Sequence, residues 1–461
     1  MKTSTTSQTK QTKKTLQTWL LGAASAAFWL LVWEIASQAV GQEILIPSPI
    51  VVFKRLGALA LTANFWLTAL HSLWNVLQGF FWGAAAGVLA AVLISVSTVL
   101  AALLRPVIAA AKATPVASFI ILALVWIARS AVPAFIAGLI VFPVVCGNVA
   151  EGIRQIDREL LEKARLHRVG RWRTFLYVAL PGVFPHLLSA LSTSLGLAWK
   201  AGIAAEVLSV PKNTIGTELY NSKIYIETPD LFAWTLVVIV LSLLIETGFV
   251  RLTRNITLQI PLKAGTCSQP HPTGSAASLP PVSKHFGEKK VLDRFSLPLQ
   301  PGKVTALLGA SGGGKTTLLR IYAGLLKDDS GTTGKTPCTY LFQENRLLPG
   351  RSARENILFL RPDADADRLL QLVELADSGD QPVEALSGGM KRRAAIAAAL
   401  ACPAPLVLLD EPFQGLDEAT RDRIAPGVFA ELERTGAAVV LVTHDPREAE
   451  RHAHIVTTIT E

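Results

Sequence analysis

Eight consecutive residues, Gly309-Ala310-Ser311-Gly312-Gly313-Gly314-Lys315-Thr316, carry the plainest chemistry in this chain of 461 residues. Glycines at this spacing let successive backbone N–H groups curl around phosphate oxygens, and the flanks supply the required setting. An apolar run over 303–308 reads as a buried strand entering the loop, and a helical pattern over 317–326 leaves it. The helix N-terminus adds favourable potential for an anion. Lys315 is expected to reach the β- and γ-phosphates of ATP, the Thr316 hydroxyl to ligate Mg2+, and Thr317 to continue the phosphate contact. A second apolar run, 406–409, ends in Asp410-Glu411. Adjacent carboxylates at a strand end have separable jobs, one holding Mg2+ and one taking the proton of an attacking water. Asp410 is assigned the first and Glu411 the second. A third apolar run, 438–442, delivers His444 to where it contacts the γ-phosphate or positions that water.

Leu386-Ser387-Gly388-Gly389-Met390 opens an alanine-rich helical pattern, so a second helix N-terminus offers N–H groups and a serine hydroxyl to an anion. With this motif beside the phosphate loop, residues 282–445 resemble the ATP-binding cassette (ABC) ATPases. The resemblance implies an α/β P-loop NTPase domain with an ABC signature helical subdomain. It implies further that Ser387, Gly388 and Gly389 bind the γ-phosphate held by the opposite subunit's loop, so the site needs a second copy of the chain or a similar fused half. Gln343 is similar to the lid glutamine that senses Mg2+ and the membrane domain. Asp417 is similar to the aspartate of the dimer-interface loop, His444 to the switch histidine, and Phe286 to the aromatic on which adenine stacks. Met390, Arg392 and Ala398 depart from the usual residues of the signature helix. Because the main catalytic groups are present, these departures bear on rate and regulation.

The elements around this domain belong to a different solvent. The chain is too long for one hydrophobic core and its mean hydropathy is +0.39, with long apolar runs confined to the first half. All ten tryptophans lie between Trp19 and Trp234, as expected where indole rings meet membrane lipid at an interface. A spanning helix needs roughly 20 apolar residues. Six stretches approach that: 19–40, 72–96, 101–127, 131–150, 183–208 and 230–250. Lys2, Lys10, Lys13 and Lys14 precede the first, and Arg251 and Arg254 follow the last. The positive-inside rule therefore puts both ends and the ATPase in the cytoplasm of a multi-pass membrane protein; the family resemblance implies the bacterial inner membrane.

The expected order is a disordered tail over 1–18, an all-α permease domain over 19–256, a Pro- and Ser-rich linker over 257–281 and the ATPase over 282–461. Glu34, His71, Asn75, Lys200 and Glu206 fall in or near spans and are read as interfacial or paired with neighbouring helices. The net charge of +9 is dispersed and no nucleic-acid module is present, so no nucleic-acid partner is expected. Four separated cysteines show no metal-ligand spacing and imply a reducing compartment.

Between the fourth and fifth spans a basic stretch, about 157–181, contains Glu162-Lys163-Ala164 and, later, Leu180-Pro181. This looks like the coupling loop of type I ABC importer permeases, with Arg168 at the usual glycine position and Gly170 two residues on. Pro47-Ser48-Pro49, Thr114-Pro115, Ala198-Trp199 and Glu206 are similar to permeases of the nitrate, sulfonate and taurine group. The resemblance implies uptake of a small anionic solute delivered by an extracytoplasmic binding protein, with permease and ATPase fused in one chain. Two other readings use the same residues: an ABC exporter half-transporter, which would carry longer cytoplasmic helix extensions, and a membrane-tethered ATPase with a sensory role.

Overall fold

The computed structural model describes residues 4–254, 256, 260–262, 279–310, 312–331 and 336–459, with the backbone alone over 4–19. Ser311, Cys267 and most of the 257–281 linker lie outside the described residues. By its contacts the chain divides into two compact units, residues 1–155 with 183–257, and residues 156–182 with 258–461. The coupling segment, expected as part of the permease, thus groups with the ATPase. The reason is burial: Leu160, Ala164 and Val178 share one apolar cluster with Leu348, Ile357 and Phe359.

The first unit is helical. Its elements are α1 (Ser4–Val40), α2 (Pro49–Ala60), α3 (Ala63–Val96), α4 (Thr98–Ala113), α5 (Val116–Trp126) and α6 (Val132–Arg154). After α7 (Arg158–Leu166) and α8 (Arg171–Thr174) of the second unit come α9 (Leu180–Ser209), α10 (Ile215–Ile224) and α11 (Thr228–Thr253). Among the described residues, five helices are long and apolar enough to cross a membrane, including Ala63–Val96, Val132–Arg154 and Thr228–Thr253. The span expected at 101–127 is a pair, α4 and α5, bent by 110°. Pro115 has no N–H to donate and drives the preceding residue from helical geometry, and Thr114 accordingly takes ψ 131°. Helix α1 begins at Ser4, inside the stretch expected to be an unfolded tail. That stretch holds no Gly or Pro to stop a helix propagating outward from the apolar span.

Close packing in this unit comes from small residues. Gly79, Gly83 and Gly87 recur every fourth position on α3 and meet α6, so a Cβ on Gly83 would fall 2.4 Å from the Gly138 carbonyl oxygen. The intramembrane carboxylate of Glu206 is buried and paired, accepting from the Ser72 hydroxyl at 2.8 Å and the Gly216 N–H at 3.1 Å. Trp199 is buried with its indole N–H on the Val238 carbonyl at 3.1 Å.

In the second unit the strands β1 (Val282–Phe286) and β2 (Lys289–Phe295) form an antiparallel pair. A five-stranded parallel sheet combines β3 (Val304–Leu308), β4 (Cys338–Leu341), β5 (Leu406–Asp410), β6 (Ala438–Val442) and β7 (Ile455–Thr458) in the order β4-β5-β6-β3-β7. Strands β5 and β6 are buried at every residue, as their unbroken apolar runs require for a parallel sheet covered on both faces. Covering helices are α12 (Lys315–Tyr322), α13 (Ala353–Leu360), α14 (Ala366–Leu372), α15 (Gly388–Leu400), α16 (Glu418–Arg434) and α17 (Pro446–His452).

Candidate nucleotide site

The sheet order sets β5, β6 and β3 side by side, so three C-terminal strand ends open on one edge, where ligands of open α/β sheets bind. From β3 comes the glycine loop. Gly312 and Gly314 hold left-handed backbone, φ 83° and 89°, and a Cβ on Gly314 would meet Val291 Cγ1 at 2.8 Å, so both geometry and space call for glycine. Lys315 opens α12, and its Nζ donates to the Gly309 carbonyl at 2.7 Å and the Ala310 carbonyl at 2.8 Å. Burial lowers its ammonium, while Glu411 and Asp410 oppose that shift.

From β5 come the two carboxylates. Asp410 is 1% exposed, and burial raises its carboxyl, against the hydrogen bonds of Tyr340 and Thr316 that pull it down. The Tyr340 hydroxyl donates to Asp410 Oδ2 at 3.0 Å, and burial with that neighbouring charge pushes the phenol up. Asp410 Oδ1 is buried without a hydrogen-bond partner. Glu411 turns out of the strand with φ 47°, and from β6 the His444 Nε2 lies 2.5 Å from its Oε1.

An open cleft of about 480 Å³ brings together Phe286, Gly312, Gly314, Lys315, Thr316, Thr317, Gln343, Glu411 and His444. It adds Val291 and Gln414, which sequence reasoning did not single out; Gln414 accepts from the Gln343 amide at 3.4 Å. Gly313 faces the adjoining recess beside Lys289 and Lys290. Phe286 is half exposed at the end of β1, open to stack on a planar base. Ser387, Gly388, Gly389 and Asp417 do not line this cleft. Ser387 caps α15, its hydroxyl accepting from Met390 N–H at 3.3 Å, and Asp417 caps α16, accepting from Thr420 N–H at 2.9 Å. Ser387 and Gly388 are exposed.

The donor set fits Mg2+. A hard cation of this kind takes one or two carboxylates, a hydroxyl and phosphate oxygens. The Asp410 carboxyl, with Oδ1 buried and unpartnered, and the Thr316 hydroxyl beside that carboxyl offer the first two.

The coupling segment meets the loop that follows β4. Lys163 Nζ donates to the Arg346 carbonyl at 2.8 Å, and Glu162 and Glu159 pair with the Arg346 guanidinium at 3.3 and 3.5 Å. That guanidinium lies 3.7 Å above the Phe342 ring, one residue before Gln343. Arg173 donates to the Phe359 and Leu358 carbonyls at 3.1 and 2.7 Å. Burial pulls the Lys163 ammonium down to about 8. Arg168, at the position where the coupling motif carries glycine, holds a left-handed backbone of φ 54°.

A phosphate-loop sheet carrying paired carboxylates, in one chain with apolar membrane-length helices, defines a membrane ATPase. Comparison with known families agrees with each half. Residues 292–414 match the ABC transporter family, and residues 83–258 match the binding-protein-dependent transport system inner membrane component family. The chain is 41% identical over 183 residues to an aliphatic sulfonates import ATP-binding protein of Paracoccus denitrificans, covering 38% of this chain and 74% of that protein. A protein of the same description from Nocardia farcinica is 41% identical over 186 residues, covering 39% and 75%. A solved ATP-binding cassette dimer bound to ADP and Pi aligns over 40% of this chain and 94% of its own at 28% identity and a TM-score of 0.36. The chain belongs to the ABC transporter family, as a permease fused to an ATP-hydrolysing cassette.

Proposed function

We propose that this protein is half of an ATP-driven importer of a small anionic, sulfonate-like solute, received from an extracytoplasmic binding protein. The observation that carries the reading is the seating of residues 157–173 on the loop after Gln343, through Glu162 and Lys163, and on the end of α13, through Arg173. A segment that joins two membrane helices and grips the lid loop of an ATPase is placed to pass work between them. Solute class rests on the sulfonate-import relatives and on the permease family match.

In this reading the glycine loop and Lys315 hold the β- and γ-phosphates, and Phe286 stacks on adenine. Thr316, Asp410 and Gln343 would hold Mg2+, which when bound would supply charge neutralisation of the phosphates. Glu411 takes one proton from a water whose oxygen bonds to the γ-phosphorus as the bond to the β-γ bridging oxygen breaks, giving ADP and phosphate. His444, whose Nε2 lies 2.5 Å from Glu411 Oε1, orients that carboxylate and the water. Ser387, Gly388 and Gly389, which do not line this cleft, serve the γ-phosphate on a second copy, and Asp417 lies at that copy's interface. The ATPase then faces the cytoplasm from the bacterial inner membrane.

The test is transport. Full-length protein in vesicles, given ATP on the cassette side and a sulfonate-loaded binding protein on the other, is expected to accumulate the sulfonate. ATP hydrolysis that ignores every binding protein offered, with no accumulation, would rule out import.

A further inference from the structure

Arg392 lies on the signature helix α15 and is 2% exposed. Its guanidinium has five N–H groups in a rigid fork. Each meets a backbone carbonyl: Nε that of Pro412 at 2.8 Å, Nη1 those of Phe342 and Gln343 at 2.7 and 2.9 Å, and Nη2 those of Asp410 and Glu411 at 2.8 and 2.7 Å. One side chain therefore fixes the backbone at both proposed site carboxylates and at the lid glutamine, and it does so from the helix whose N-cap is Ser387.

The same lid loop is held from its other side. Lys163 bonds the Arg346 carbonyl, and Arg346, paired with Glu162, stacks on Phe342. The carbonyl of that Phe342 is one of the five on Arg392. A displacement of the coupling segment thus reaches Asp410 and Glu411 through two bonded steps, the loop and the Arg392 fork.

We infer that Arg392 is a positioning residue that transmits the set of the coupling segment and of the signature helix to the Glu411 and Asp410 backbone. The inference rests on the site reading above. It separates from mere packing because packing would be served by any buried side chain of similar volume, whereas transmission needs all five donors in one plane. Lys offers three donors from a point and Gln two.

The experiment measures ATP hydrolysis by the full chain in lipid vesicles. Arg392→Lys and Arg392→Gln are expected to lower kcat by roughly 10-fold and 100-fold, on the scale that small misplacement of reacting groups costs, while KM for ATP stays within about twofold, since no phosphate contact is lost. In combination with Lys163→Met, the loss of Arg392→Lys is expected to be smaller than the product of the two single losses, as for residues acting in series. A wild-type kcat in Arg392→Lys overturns the inference, as does a KM that rises in step with the fall in kcat, or strict multiplication with Lys163→Met. Should Arg392→Gln not fold, Arg392→Lys decides alone. Full turnover by Glu411→Gln would overturn the site reading and this inference with it. Turnover abolished in Glu411→Gln but intact in Arg392→Lys would overturn this inference only.

Discussion

The Nε2 atom of His444 lies 2.5 Å from Oε1 of Glu411, although the two residues follow different strands. Their neighbourhood comes from the ladder: β5 and β6 are parallel partners, with Asp410 opposite Val442, and the Glu411 N–H extends the pairing to the Val442 carbonyl at 2.9 Å. At that point the Glu411 backbone turns left-handed, a conformation costing on the order of 1 kcal/mol for a residue with a Cβ. The turn swings its carboxylate from the buried strand to the cleft, where the imidazole holds it.

If Glu411 is the base, Glu411→Gln keeps the shape and the His444 contact but removes the proton acceptor. Hydrolysis is expected to fall by about 10²- to 10⁴-fold. Binding of a fluorescent ATP analogue is expected to stay at its original affinity, because the phosphate loop is untouched. Turnover at the wild-type rate would take the role from this residue.

The exposed Ser387 and the cleft residue Thr317 belong to one composite site only if two chains face each other. Cysteines placed at Ser387 and Thr317 are then expected to join different chains on mild oxidation with ATP present, shifting the 49.5 kDa band to twice its mass. Replacement of Lys315 by Ala is expected to abolish that ATP-dependent shift. A band that stays at monomer mass would argue that the signature serves its own chain.

Legibility along the chain followed how local each signal was. The glycine loop, Asp410-Glu411 and His444 were readable because short apolar strands end in them and chemistry fixes their spacing. Arg168 was readable only as a departure, and its left-handed φ explains why glycine suits that position. Tyr340 and Arg392 were not legible as site residues. Tyr340 sits in a buried strand like any core aromatic, and the five carbonyls on Arg392 come from segments 18 to 50 residues away. Backbone acceptors leave no side-chain pattern to read. The bend at Thr114-Pro115 was visible as a proline; its 110° was not, since a proline break sets no direction by itself. Residues 157–181 were readable as a permease coupling segment from Glu162-Lys163-Ala164 and Leu180-Pro181, and they fall within the permease family match; that Leu160 and Val178 pack among ATPase residues was not, because no local pattern marks a distant partner.

His167 gives the coupling segment a pH dependence of known sign. Its Nδ1 faces the Lys163 carbonyl at 2.9 Å, Nε2 is buried without a partner, and burial pulls the imidazole down to about 4. With a folded value below the unfolded 6.5, the unfolded segment binds more protons between the two. Stability is therefore complete above about pH 6.5 and is lost progressively as pH falls towards 4. Amide hydrogen exchange over 158–166 is expected to quicken from pH 7 to pH 5 beyond the intrinsic rate change, and His167→Phe is expected to flatten that excess. An equal excess in the variant would assign it to another group.

Gly83 tests whether α3 and α6 depend on backbone approach. A Cβ there would sit 2.4 Å from the Gly138 carbonyl oxygen and 2.7 Å from its Cα, backbone atoms that no rotamer change can move. Gly83→Leu is expected to force the helices apart and destabilise the first unit by at least 1–3 kcal/mol on the scale of overpacked cores. Gly57, on α2, has no heavy atom within 4 Å of its would-be Cβ. Gly57→Ala is expected to stabilise by about 0.5–1 kcal/mol, because alanine holds a helix interior better than glycine. Thermal unfolding of the two variants in detergent should move in opposite directions from wild type. A Gly83→Leu protein that melts with the wild type would mean that α3 and α6 can separate without loss, and the four-residue glycine spacing would then need another explanation.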